Sequence, residues 1–328
     1  MRVRLTQIDG ALPNLAIMRL ASWHRERGDE VVVTRHIEPQ PGEPSALEPD
    51  LFTAPYDRVY GSVLFDFSRE RLERFRRLWP GAIIGGTGAG KYQLDFSVER
   101  YLGTRHDHLD YSGYPDFEPS IGFTQRGCRL RCKFCVVPRK EGKPLSVGTV
   151  PELWRGEGHP KKLHILDNDF FGQPPAQWKA RIREIIDGRF RVCLSQGINV
   201  RLIDDEAAAA LASIEYRNTK FTERRLYTAW DNLKDEQVFF RGVERLERAG
   251  VKPRHIMAYM LIGYDRTETW ERIWHRFNRM VERGIEPYPM VYDRNRKDLR
   301  KFQRWVITGL YRAVPFENYD VSIKRSAA

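Results

Sequence analysis

The chain has 328 residues, 55 Lys and Arg against 44 Asp and Glu for a formal charge of +11, and four cysteines. That length can bury a sizeable core and hold two domains, and so few cysteines exclude a disulfide framework. Neither a charged-then-apolar leader nor a bilayer-length apolar run is present, so the expectation is a soluble, cytoplasmic protein with no membrane partner.

The first residues alternate strand and helix signals. Strands are predicted at Arg2–Ile8, Glu30–His36, Val59–Phe65 and Ala82–Gly86. Between the first two lies a helix with Ile17, Leu20, Ala21 and His24 on one face and Gly28 at its C-cap; a second helix fits Ser68–Leu78. This order is Rossmann-like and assigns residues 1–115 to a small α/β domain. The polar stretch Gly103–Pro119 reads as a linker. Beyond it strands are predicted at Ser120–Thr124, Leu163–Leu166, Arg191–Ser195, Arg225–Ala229, His255–Ile262 and Pro287–Val291, with helices between most of them. Tandem βα units of this kind predict a parallel (βα)6 partial barrel over residues 116–293, two units short of closure. Residues 294–328 read as a basic helical extension.

The chemistry concentrates in Gly127-Cys128-Arg129-Leu130-Arg131-Cys132-Lys133-Phe134-Cys135, with the spacing C-x3-C-x2-C. An iron-sulfur cube takes four ligands, and this run supplies three, leaving one iron open to a chelating cofactor. A structural zinc site would ask for a fourth ligand at short range; His159, His164 and Cys193 all lie beyond the usual spacing. The three cysteines, Phe134 before the last of them and their place after the first strand of a βα series resemble the radical S-adenosylmethionine (radical SAM) superfamily. The resemblance implies a 4Fe-4S cluster on Cys128, Cys132 and Cys135, S-adenosyl-L-methionine on the open iron, and an external one-electron donor. Reductive cleavage of the sulfonium would then give a 5'-deoxyadenosyl radical that takes a hydrogen atom from a substrate.

The same resemblance assigns further positions. Asp167-Asn168-Asp169 stands where the family places the glycine-rich group that holds the methionine amine, and departs from it in carrying acids and an amide. Gln196, Asn199 and Arg201 stand where the ribose and carboxylate are met. In the cobalamin-dependent branch a Rossmann-like domain precedes the barrel; Ser62 and Gly85-Gly86 match positions that face the corrin tail, whereas Ala11 occupies the place of the cobalt-binding histidine, leaving bound cobalamin and a vestigial scaffold both open. Gly85 to Tyr92 nearly spells a P-loop, but Tyr92 replaces the hydroxyl that would meet Mg2+. The alternative reading is a nucleic-acid-binding protein with a structural metal. It rests on the net charge and on basic residues from Arg294 to Arg304 interleaved with Phe302, Trp305 and Tyr311; a solvated amphipathic helix explains the same segment. The substrate, nucleic acid or nucleotide among the candidates, is not readable from the sequence.

Overall fold

The computed structural model describes residues 1–35, 55–90, 97–104 and 106–322. It divides into two compact units, Met1–Glu118 and Pro119–Ala328.

In the first unit, β1 (Arg2–Gln7), α1 (Leu15–Arg25), β2 (Glu30–Arg35), β3 (Arg58–Ser62), α2 (Arg69–Leu78), β4 (Ile83–Gly85) and α3 (Val98–Leu102) follow one another, and the four strands form one parallel sheet in the order β2-β1-β3-β4. Asn14 starts α1, its side chain accepting from the backbone N–H groups of Ala16 and Ile17. The apolar face that then turns inward carries Ile17, Leu20 and Ala21, packed on Val3, Leu5 and Tyr60 of the sheet. His36, at the end of the second predicted strand, and Lys91-Tyr92 of the P-loop-like run lie outside the described residues.

The stretch read as a linker is strapped to this unit. The Tyr114 hydroxyl, 2% exposed as a residue, donates to Gln7 Oε1 at 2.8 Å and accepts from Asn14 N. Arg25 pairs with Asp110 at 3.1 Å, and the Asp110 N–H reaches the Met18 carbonyl. Its Pro, Gly and Asp content describes a chain without periodicity, and such a chain still packs when its side chains find buried partners.

The second unit holds β5 (Ser120–Gly122), β6 (Gln125–Arg126), α4 (Val137–Lys140), β7 (Leu145–Ser146), α5 (Val150–Leu153), β8 (Lys162–Ile165), α6 (Pro175–Asp187), β9 (Arg191–Cys193), α7 (Asp205–Ser213), β10 (Glu215–Tyr216), β11 (Leu226–Ala229), α8 (Glu236–Arg248), β12 (Ile256–Ile262), α9 (Trp270–Glu282), β13 (Glu286–Val291) and α10 (Lys297–Ile307). All six expected strands are present, all in parallel pairings, but they belong to two sheets, β10-β9-β8-β5 and β11-β12-β13. The separation has a local cause. The two-residue β10 occupies the edge of β9, pairing Glu215 with Arg191 and Tyr216 with Val192. After Cys193 the chain turns at Gly197, whose φ of 97° favours glycine, and Ile198 rather than a β9 residue donates to the Tyr227 carbonyl of β11 at 2.7 Å.

Along β12 the residues Ile256, Ala258, Met260 and Ile262 are buried in alternation, the pattern of a strand with one face under helices. The same core takes Phe239 and Val243 of α8, Phe277 and Met280 of α9, and Leu299, Phe302, Trp305 and Val306 of α10. The residues from 294 on, set apart in the sequence as an extension, therefore share this core through α10. Phe302 and Trp305, read as candidates for stacking on bases, are 0% and 4% exposed, and Tyr311 packs edge-on against Phe277. Their rings are spent on the core. Among the described residues no helix is long and apolar enough to cross a membrane.

Candidate functional site

The cysteines occupy a loop closed at its base. Gln125 and Arg126 pair antiparallel with Ser146 and Leu145, so the chain between them is held as one excursion. Gly127 opens it at φ 81°, where a Cβ would stand 2.3 Å from the Lys143 carbonyl oxygen, so a side chain is excluded. Cys128 N donates to Gly142 O at 3.2 Å, Cys135 N to Cys132 O at 3.0 Å, and Leu130 N to Cys128 Sγ at 3.4 Å. All three cysteines are half-buried free thiols; Cys193 is buried apart from them on β9.

Two carboxylates fasten this loop. Glu141 accepts from Gly127 N at 3.0 Å and from Arg126 Nη2 at 2.6 Å, drawing the entry to Cys128 towards the segment after Cys135. Asp169, beyond the end of β8 and 1% exposed, accepts from Arg129 Nε at 2.7 Å, Nη2 at 2.9 Å and N at 3.1 Å. Such a bidentate pair is among the stronger polar contacts a protein makes. Asn168 Nδ2 donates to Glu141 Oε2 at 2.7 Å, and Asp167 accepts from Thr124 N, Gln125 N and the Thr124 hydroxyl. Gln125 completes the set, accepting from Asp169 N and donating to Gly127 O. Asp167, Asn168 and Asp169 were expected to meet the cofactor's amine. Their side chains are instead engaged with the cysteine loop, because acids and an amide fill with hydrogen bonds the space that glycines would leave open.

The electrostatics call for a cation. Burial pushes the Cys128 thiol up to about 11, and Asp169, Cys135 and Cys132 add to the rise against the Leu130 N–H. Cys135 is raised by burial and then by Cys132, Asp231 and Glu141. Thiols that raise one another share a small space, and a bound cation inverts that balance by deprotonating them. Among the described residues no group of three or more His, Cys, Asp or Glu is arranged around a single ion. A cubane asks for a different arrangement, since each thiolate meets its own iron. The donor set therefore fits an iron-sulfur cluster with one iron left open.

The loop lies at the C-terminal ends of the parallel strands. Phe134 packs edge-on against Tyr264, just after β12, with ring centroids 5.5 Å apart, and Tyr264 against Tyr292, just after β13, at 4.9 Å. Asp231, after β11, is felt at Cys135, and Asp169 follows β8. Ligands in parallel α/β sheets meet this end of the strands. Of the other expected contacts, Gln196 is exposed and the Asn199 Nδ2 is buried without a partner, free to donate. The Arg201 fork is engaged with Asp235 at 2.8 Å. Thr124, Gln125, Arg129 and Glu141 escape a reading of the sequence, because nothing local marks which residue a loop side chain will meet. Cys193 is 0% exposed beside Phe221 and Tyr227, with its thiol pushed up to about 12 by burial, so it is inert.

The first unit gives its matching residues internal work. The Ser62 hydroxyl accepts from Asn14 Nδ2 at 2.8 Å, and the residue is 5% exposed. At Gly86, φ 100°, a Cβ would stand 2.1 Å from the Val63 carbonyl oxygen; at Gly88 it would stand 2.6 Å from that of Phe65. Gly85 O accepts from Val63 N and Val63 O from Gly88 N, both at 3.0 Å. The glycines admit the chain's own backbone. Together with Ala11, which cannot ligate cobalt, these residues do not fit a corrin tail. No protein-family model, curated protein or solved structure matches the chain.

Proposed function

We propose that this chain is a radical SAM enzyme in which Cys128, Cys132 and Cys135 hold a 4Fe-4S cluster. The observation that carries the reading is the joint placement of three free thiols, crowded enough to raise one another, in one fastened loop at the C-terminal ends of parallel strands. On this reading the two sheets of the second unit are halves of a partial (βα)6 barrel, opened between β9 and β11. When bound, the cluster with S-adenosyl-L-methionine on its open iron supplies a carbon radical that abstracts hydrogen from a substrate.

The chain's own residues hold, orient and shield. Asp169 and Glu141 keep the loop in shape, and Phe134 on Tyr264 covers its inner side. The unpartnered Asn199 Nδ2 and exposed Gln196 are the polar groups at the strand ends left to meet the nucleoside and carboxylate of the cofactor. Because Ser62 and Gly85-Gly86 do not fit a corrin, the reaction proposed is a cobalamin-independent one, a hydrogen-abstraction rearrangement or oxidation. Free thiols and a reducible cluster suit a cytoplasmic setting.

The test is anaerobic reconstitution with iron and sulfide. The wild type is expected to turn brown, to bind about four irons per chain in keeping with a cubane, and to release 5'-deoxyadenosine from S-adenosylmethionine under reductant. Cys128→Ala, Cys132→Ala and Cys135→Ala each abolish both properties, and Cys193→Ala keeps them. A colourless protein that retains zinc would overturn the assignment.

A further inference from the structure

The outer rim of the cysteine loop is strongly basic, and most of that charge is unspent. Arg126 and Arg129 are engaged with Glu141 and Asp169. Arg131, Lys133, Arg139 and Lys143 are exposed and make no ion pair among the described residues, and the loop's one acid, Glu141, is already taken up by Arg126, Gly127 and Asn168. Two of the four flank Cys132 directly. The strand ends beside the loop have the opposite character, with Asp231 after β11 and the exposed Asp265 after β12. The cationic field is thus centred on a cluster ligand, and the place where a substrate must approach the open iron is acidic.

We propose that Arg131, Lys133, Arg139 and Lys143 form the docking surface for a small acidic one-electron carrier protein. The proposal rests on the cluster assignment above. An electron must enter close to the cluster, and the exposed route to it passes the Cys132 edge, where opposite charge would both steer and orient a partner. A polyanionic substrate is disfavoured by the acids at the strand ends, since its target atom would have to lie there. The fastening of the loop by Asp169 and Glu141 keeps the four charges in a fixed pattern, so docking costs little ordering. In the transfer one electron leaves the carrier and enters the cluster, with no bond made or broken; for a flavin carrier the anionic hydroquinone becomes the neutral semiquinone.

The experiment uses the full chain, reconstituted, with an acidic flavodoxin as probe. Stopped-flow appearance of the flavin semiquinone gives the rate of cluster reduction, and the methyl viologen radical cation serves as a small reductant without a docking requirement. Calorimetric binding of oxidised flavodoxin to the chain before reconstitution is a readout that needs no cluster. Arg131→Glu/Lys133→Glu is expected to slow the flavodoxin reaction about tenfold or more at low salt and to weaken binding in step, with the viologen rate maintained. Raising the salt should bring the wild type down towards the variant. If the first pair lowers iron content by disturbing Cys132, Arg139→Glu/Lys143→Glu, remote from that ligand, replaces it. Equal rates and equal binding in wild type and variants overturn the proposal, as does loss of single-stranded RNA binding with flavodoxin binding unchanged. Failure of the wild type to take up iron and sulfide would instead defeat the cluster assignment, and calorimetry would still decide whether the surface docks an acidic carrier.

Discussion

Gly86 and Gly81 sit five residues apart in the same unit and show how differently two glycines are constrained. A Cβ at Gly86 meets the Val63 carbonyl at 2.1 Å with φ at 100°, whereas at Gly81 nothing lies within 4 Å. Gly86→Ala is therefore expected to destabilise the first unit by about 3 kcal/mol or more, and Gly81→Ala to stay within about 0.5 kcal/mol of the wild type. Urea denaturation of the two variants checks the contrast; equal midpoints would show that the loop yields. A second single-residue effect concerns His164, which is 0% exposed, with Nε2 on the Ser195 hydroxyl at 2.8 Å and Nδ1 unpartnered. Burial holds it down to about 4. The unfolded chain accepts a proton at this residue below about pH 6.5 and the folded chain only below about 4, so stability falls as pH drops through that window, by on the order of 3 kcal/mol. His164→Asn should flatten that part of the stability profile between pH 7.5 and 4. Parallel profiles for the two proteins would mean that the folded state accommodates the charge.

At the scale of elements, the cysteine loop has almost no regular structure of its own and depends on contacts with its neighbours. Asp169 supplies three of these through Arg129, and it is itself oriented by Gln125. Asp169→Asn keeps the size of the side chain and removes the charge. It is expected to raise amide hydrogen exchange at Arg129 and Leu130 about tenfold or more before any cluster is present, an opening free energy of roughly 1.4 kcal/mol. After reconstitution the same variant should lose iron to a chelator faster than the wild type. Unchanged exchange would mean that the β6-β7 ribbon and Glu141 suffice to hold the loop. The opposite lesson comes from α10, whose basic residues invite a reading as a surface while its aromatic residues complete the core under β13. Trp305→Ala should cost about 3–5 kcal/mol, measured by thermal or urea unfolding, as for other buried large-to-small changes.

For the whole molecule, the cores lie within separate units: Val3, Leu5, Ile17 and Tyr60, with a second cluster around Phe75, belong to the first, and the large cluster from Val150 to Tyr319 belongs to the second. Scanning calorimetry is expected to resolve two transitions, with Gly86→Ala lowering one and Trp305→Ala the other. A single transition lowered by both substitutions would show that the units unfold as one. The distribution of charge has the same modular character. The excess of +11 is not spread evenly over function, since the cysteine loop concentrates unpaired cations at one edge and the neighbouring strand ends carry acids.

By itself the sequence determined what depends on near neighbours along the chain. The C-x3-C-x2-C spacing singles out the cysteine loop, the alternation of strand and helix signals announces two α/β units, and the apolar stripe of α1 identifies its buried face; each of these is local, because ligand spacing and helical or strand periodicity are set within a few residues. Tertiary structure decided which partners the polar and glycine residues meet. Asp167-Asn168-Asp169 became fastenings of the cysteine loop, Ser62 a partner of Asn14, and Gly86 a bed for the Val63 backbone, through contacts with residues about 20 to 50 positions away. The split between β9 and β11 was decided in the same way, by a two-residue β10 too short to show a period and by a turn at Gly197 that offers Ile198 to Tyr227. Periodicity records which side of an element avoids water, and carries no information about which distant group will satisfy a buried donor or fill the space above a glycine.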